Sequence, residues 1–234
     1  MTNLCPDNYC NVCLDDTPLD VRERDLLKSC SKCHGLGAKY CNKDCQTRDW
    51  PIHKIFCGVS SPPASVANEG NTIRALFFPV DSKAPTLVRV QVGANFPGGV
   101  DATQHIPGTL GGDVKCYSSE QLPHYENNEI YCGFSLYYGK QSKSDTENKC
   151  IKHVLSGFAK ARYGSGLSVE IMGRDYWKTH LDGLKKWTGP LLLVKSDRYK
   201  KNGLSNPTHE DFDVRDVPYL VIYLGLLSKL MASQ

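Results

Sequence analysis

Within 48 residues of this chain stand four pairs of residues of the kinds that hold transition metals: Cys10 with Cys13, Cys30 with Cys33, Cys41 with Cys45, and His53 with Cys57. The first two pairs have the C-x-x-C spacing that lets two thiolates point at one tetrahedral centre. The last two stand at i and i+4, positions that share one face of a helix a turn apart. Eight ligands complete two closed four-coordinate sites, so the array predicts two zinc ions. From Cys10 to Cys33 the segment contains a Pro18 break and a short apolar trio, Val21, Leu26 and Leu27. Reduced thiols packed into an ordinary core would need more than that, whereas structural zinc supplies on the order of 10 kcal/mol or more of coupled folding free energy. Pro51 interrupts a helix running from Asp44, which predicts two short helical turns with a kink, one carrying Cys45, Gln46 and Trp50 and the other His53 and Cys57.

The start, MTNLCPDNYC, has neither a basic nor an apolar leader region, so no secretory signal is expected. Thiols kept reduced read as metal ligands before disulfides, and an intracellular location, cytoplasm or nucleus, is expected. Of the eleven cysteines, seven fall in the array; Cys5, Cys116, Cys132 and Cys150 follow no pairing rule and read as buried or incidental thiols. The net charge of +3 belongs to the rest of the chain: residues 1–58 carry eight Lys plus Arg against eight Asp plus Glu. Seven thiolates and two zinc ions make the loaded segment acidic, which argues against a finger that grips phosphates. The cluster Lys185, Lys186, Lys195, Arg198, Lys200 and Lys201 comes without an aromatic platform and reads as a solvated face, so nucleic acid is not an expected partner.

Residues 59–70, VSSPPASVANEG, read as a linker, separating a zinc-binding segment at 1–58 from a mixed α+β domain of unknown role at 71–234. TIRALFFPV at 72–80 and TLVRVQV at 86–92 predict two strands joined by a hairpin through Ser82 and Pro85, with Val88, Val90 and Val92 on one face. Residues 93–128, glycine-rich and aperiodic, predict a long functional loop or a flexible insertion, and GTLGG within them reads as turn chemistry. EIYCGFSLYYG at 129–139 returns to strand alternation, placing Phe134, Leu136 and Tyr138 on one face. Ser144 three residues before Glu147 is a capping-box pattern, followed by Ile151, Val154, Leu155 and Phe158 at helical spacing. LSVEIM at 167–172 and LLLV at 191–194 are strand candidates, RDYWKTHLDGLKKW predicts a helix, and a last helix is expected from Asp216 to Met231 with Leu220, Tyr223, Leu227 and Leu230 on one stripe. That run falls far short of the roughly 20 apolar residues a membrane span needs, so no membrane partner is expected. Cys150 and His153 mimic a nucleophile with its base, but Cys150 fits the apolar face of its helix, and His34 reads as a solvent-exposed loop residue.

The array resembles the MYND-type zinc finger in Tyr40-Cys41, Cys45-Gln46, Asp49-Trp50 and His53-Lys54 ahead of Cys57. The HIT-type finger ends in a similar array, but the Gln46, Asp49 and Trp50 set favours MYND. Spacing alone leaves open which pairs share an ion. The resemblance implies interleaved pairs and hence a small α+β cross-braced finger, with Cys10, Cys13, Cys41 and Cys45 on one zinc and Cys30, Cys33, His53 and Cys57 on the other. Trp50 sits on a segment with little interior to enter, so its ring is expected to be partly exposed, the alternative being packing under the first loop. Gln46, a turn earlier, offers an amide donor and acceptor to an extended backbone, and in proteins this one resembles, the matching positions help line a peptide groove. The expected function is therefore recruitment of a protein partner through a short proline-containing peptide. MYND fingers also occur inserted in SET-type lysine methyltransferases, but those place catalytic segments on both sides of the finger, including an Asn-His pair; nine residues precede Cys10 here and no Asn-His dipeptide occurs, so the chain is not expected to be an enzyme.

Overall fold

The computed structural model describes residues 10, 12, 27–32, 38–57, 71–96, 99–106, 115–118, 134–139, 146–160, 184, 186–196, 209–212, 216–217, 220 and 223–224. The candidate linker at 59–70, the strand candidate at 167–172, Cys13, Cys33, His34, Ser144 and the GTLGG turn lie outside them.

A run of apolar residues without alternation must be buried on both faces, and LLLV is such a run. It forms β7 (Leu191–Ser196), the centre of an antiparallel sheet. On one side β7 pairs with β3 (Thr72–Phe78), which pairs outward with β4 (Thr86–Gln91); on the other it pairs with β6 (Phe134–Tyr138) and then β5 (Lys115–Ser118). A two-residue β8 (His209–Glu210) extends the ladder beside Lys195 and Ser196. Ser82 closes the β3–β4 turn, its hydroxyl accepting from the Ala84 N–H at 3.0 Å. Strand alternation sorts side chains between two cores. Leu76, Phe78, Phe134, Leu136, Tyr138, Leu191 and Leu193 face one. Ile73, Ala75, Val90, Tyr137, Leu192 and Val194 face the other, with Val88 and Val92 against them.

The second core is closed by Val100, Ala102 and Ile106. Part of the glycine-rich stretch expected to be a loop or insertion is thus a structural cover. It is anchored by a Val92–Val100 bridge and begins at Gly99, whose φ of 80° few other residues adopt. A Cβ there would also stand 2.9 Å from His209 Nε2.

The first core is covered by α2 (Lys149–Lys160), with Cys150, Ile151, Val154, Leu155 and Phe158 turned inward. The expected capping box at Ser144 is not what starts this helix. Asn148 does: its fully buried side chain accepts from the Ile151 N–H at 2.9 Å and donates to the carbonyls of Phe78 and Gly189 at 3.0 and 2.8 Å. One amide thereby ties the helix start to the end of β3 and the approach to β7. From the last expected helix, Val217, Leu220, Tyr223 and Leu224 join the same core, and Tyr223 packs edge-on to Phe134 at 5.5 Å.

A third contributor to this core comes from the N-terminal segment. α1 (Lys43–Phe56) is one continuous helix of 14 residues with Pro51 inside it, not two separate short turns. Its Ile52, Ile55 and Phe56 are buried in the same cluster as α2 and the sheet. Burying three such side chains is worth about 1.5–3 kcal/mol each, which outweighs the roughly 3 kcal/mol that an interior proline costs. The segment that reads as too poor in apolar residues for an ordinary core thus supplies three core residues. A helix that reads as a ligand carrier is also a wall of the sheet's core.

Candidate metal centre

The metal-binding segment is built on two short rails. β1 (Lys28–Ser29) and β2 (Lys39–Tyr40) pair antiparallel, and the Cys30 N–H donates to the Ala38 carbonyl at 3.2 Å. Cys30 leaves the ladder beside Ala38, whereas Cys41 leaves past its other end. Three residues of strand separate Ala38 from Cys41, about 10 Å at 3.3 Å per residue. The second rail is α1, capped by Asn42, whose Oδ1 accepts from the Cys45 N–H at 2.9 Å. Cys45 in its first turn and His53 near its end stand eight residues apart, roughly 12 Å along the axis. Each rail offers one ligand at each end, and the two ends are too far apart to meet on one ion.

The donor atoms gather accordingly. Cys10, Cys41 and Cys45 form one group and Cys30, His53 and Cys57 another, the ligand atoms within each lying within 4.8 Å of one another. Cys30 Sγ and Cys57 Sγ are 3.8 Å apart. Two sulfurs at about 2.3 Å from a tetrahedral zinc would stand about 3.8 Å from each other, so the spacing fits that metal. Cys10, Cys30, Cys45 and His53 are buried, Cys57 is half-buried and Cys41 is exposed. Burial pushes His53 down to about 4, which keeps the imidazole neutral with a lone pair free to ligate. Cys57 N–H donates to the His53 carbonyl at 2.6 Å, closing the helix so that the last two ligands share one face.

Between the clusters lies a buried polar contact that the sequence reading assigned no role. Asp49 is 3% exposed, and the Tyr40 hydroxyl donates to its Oδ2 at 2.6 Å. The same oxygen stands 4.0 Å from His53 Nδ1, and the Tyr40 and His53 rings meet edge-on at 6.0 Å. The available signals were the i, i+4 spacing of Asp49 and His53 and the asparagine directly ahead of the helix.

Trp50 is 42% exposed, the one large exposed apolar side chain among the described residues, and its ring is tilted over His53 at 6.0 Å. Gln46, one turn earlier, is half-buried. Three faces of α1 are thus distinct: Cys45, Asp49 and His53 toward the ligand clusters, Ile52, Ile55 and Phe56 toward α2 and the shared core, and Gln46 with Trp50 on a third.

Elsewhere, Cys150 is fully buried and its thiol is pushed up to about 12 by burial, while His153 is exposed, so the pair makes no nucleophile with its base. Of the basic cluster, Lys186 and Lys195 are described, and Lys195 is paired with the buried Asp216 at 3.1 Å. Among the described residues no helix is long and apolar enough to cross a membrane.

Residues 10–57 match the family model described as the MYND finger. The same part of the chain is similar to a SET and MYND domain-containing protein of Dictyostelium discoideum, 40% identical over 62 residues, 26% of this chain and 11% of that protein. It is also similar to SET domain-containing protein 14 of Caenorhabditis elegans, 36% identical over 63 residues, 27% of this chain and 13% of that protein. An N-lysine methyltransferase of Xenopus laevis, SMYD2-B, is 40% identical over 50 residues, 21% of this chain and 10% of that protein. The matches therefore span about a tenth of these relatives' own lengths. No solved structure matches the chain. Residues 10–57 are a MYND-type zinc finger, a class that binds zinc and mediates protein interaction, and the two clusters can hold two ions.

Proposed function

We propose that this chain is a protein-interaction protein whose cross-braced finger captures a short proline-containing peptide. In this reading Cys10, Cys13, Cys41 and Cys45 hold one zinc ion and Cys30, Cys33, His53 and Cys57 the other, with zinc acting as a structural brace. Gln46 and Trp50 form the peptide ledge. The observation that carries the reading is the exposure of Trp50 on a helix held from two other sides. A tryptophan left in water on a rigid support is a surface that a partner covers, and proline, with no N–H to satisfy and a rigid extended form, suits such a ring. The finger works inside the cell, in the cytoplasm or nucleus, where its thiols stay reduced. Residues 71–234, after the linker, form the mixed α+β domain.

The test is selection of peptides from a random displayed library on the zinc-loaded chain, followed by titration of the selected peptides against Trp50→Ala and Gln46→Ala. Proline-rich selection, lost binding in Trp50→Ala and two zinc ions retained per chain support the reading. Metal loss in Trp50→Ala makes the ring structural, and unchanged binding places the peptide elsewhere. The second reading is methyl transfer to lysine, favoured by the names of the relatives, whose likeness is confined to the finger. Methylation of a lysine peptide from S-adenosylmethionine by the purified chain would establish it. Nucleic-acid binding loses support from the pairing of Lys195 with Asp216.

A further inference from the structure

The finger buries a carboxylate, and burying one is expensive unless it is hydrogen-bonded and faces positive charge. Asp49 receives the Tyr40 hydroxyl at 2.6 Å. On the same helix face, one turn on, its Oδ2 stands 4.0 Å from Nδ1 of His53, which is in the second cluster with Cys30 and Cys57. An imidazole whose Nε2 is bound to a dication has a polarised Nδ1–H, the kind of donor a buried carboxylate requires. Metal-bound histidines are oriented in this way by a carboxylate or carbonyl behind the ring. From this geometry we infer that Asp49 is a positioning residue for the second zinc site. It keeps the His53 ring with Nδ1 protonated and turned toward the carboxylate, leaving Nε2 for the ion.

Tyr40 completes the arrangement from the other side. It adjoins Cys41, which belongs to the first cluster, so its bond to Asp49 links the end of the β-ladder near one ion to the ring that serves the other. Removing the charge of Asp49 therefore weakens one ion selectively, and removing the Tyr40 hydroxyl acts in the same direction through Asp49.

The experiment follows zinc release to a colorimetric chelator from the full chain, in wild type, Asp49→Asn and Tyr40→Phe, with circular dichroism of each loaded protein. Cobalt substitution distinguishes the four-sulfur from the three-sulfur, one-nitrogen site by its absorption. The expected result is a 10–100-fold faster or weaker hold on the nitrogen-containing site in Asp49→Asn, a smaller change in Tyr40→Phe, and no change at the other site. In wild type, nitrogen-15 spectra of the His53 ring should report metal at Nε2 and a proton at Nδ1. Metal at Nδ1, equal weakening of both sites, or unchanged release overturns the proposal; if Asp49→Asn does not fold, Tyr40→Phe decides alone. The inference rests on the zinc-site reading above. Fewer than two zinc ions per wild-type chain would sink that reading, whereas two ions with unaltered release in both variants would sink this one only.

Discussion

A Cβ added to Gly157 of α2 would stand 2.7 Å from Ile55 Cδ1 and 3.0 Å from the Pro51 carbonyl of α1, so the two helices cross at a distance only glycine permits. Glycine inside a helix normally costs about 1 kcal/mol relative to alanine, and its replacement elsewhere would stabilise. Here the sign reverses, because the added methyl meets backbone as well as a side-chain tip. Gly157→Ala is expected to lower stability by about 1–3 kcal/mol, as overpacking does, read as a drop in the urea midpoint. A raised midpoint would show that the helices separate without penalty.

The same crossing makes the metal a concern of the whole chain. Ile52, Ile55 and Phe56 bury in the core that α2 and the sheet share, and α1 holds its place partly through Cys45, His53 and Cys57. Chelation, or Cys45→Ser, is expected to lower the unfolding temperature of the sheet itself along with that of the finger. A fragment starting at residue 71 loses roughly 4.5–9 kcal/mol of apolar burial from those three side chains. It should unfold at a far lower denaturant concentration than the zinc-loaded chain. An unchanged midpoint for the fragment would make the shared core energetically unimportant.

The Asn148 side chain has three hydrogen-bond partners from three segments. Asn148→Ala removes a helix cap and leaves the carbonyls of Phe78 and Gly189 without this donor. At about 1 kcal/mol for the cap and about 1–3 for each orphaned carbonyl, a loss of about 3–7 kcal/mol is expected. Asn148→Asp keeps the cap but not the two donations, so thermal unfolding should place it between wild type and the alanine variant.

Cys150 supplies a pH test. Burial raises its thiol to about 12 from an ordinary value of 9.0, so in the folded chain it stays protonated after the unfolded chain has released its proton. The sign follows: nothing changes below pH 9, and above it stability falls as pH approaches 12, at up to about 1.4 kcal/mol per unit. The zinc-loaded wild type should lose more stability between pH 8 and 10 than Cys150→Ala. At pH 8 the thiol should also resist aromatic disulfide reagents until the protein unfolds. Rapid labelling of native protein, or identical pH slopes, would contradict the burial.

Much of this architecture can be read from residue order alone. The ligand groups of Cys10, Cys41 and Cys45 and of Cys30, His53 and Cys57, the strand of Val88, Val90 and Val92, the buried run at 191–194 and the inward face of Ile151, Val154, Leu155 and Phe158 each carry a local period or spacing that physics translates directly. What escaped are relationships that no local pattern encodes. The apolar face of α1 is interleaved with ligands, so Ile52, Ile55 and Phe56 do not read as a core stripe, and their partner Gly157 lies a hundred residues away. The Tyr40–Asp49 bond joins a strand to a helix, and Asn148 competes as a cap with a better-looking serine. That the helix runs on through Pro51 rests on tertiary burial, which no propensity scale includes.

Because α1 turns separate faces to the ligand clusters, the core it shares with α2, and solvent, it has almost no idle surface. Lys43, Asp44, Thr47 and Lys54 are its exposed positions besides Trp50, and they are the places where this helix can accept new side chains freely. The strands differ, since apolar residues of similar volume exchange within a core at small cost. In a library covering both regions, tolerated variety should therefore be narrow along Cys45–Phe56 and broad across the sheet. A helix that serves three neighbours at once leaves its sequence little room to drift.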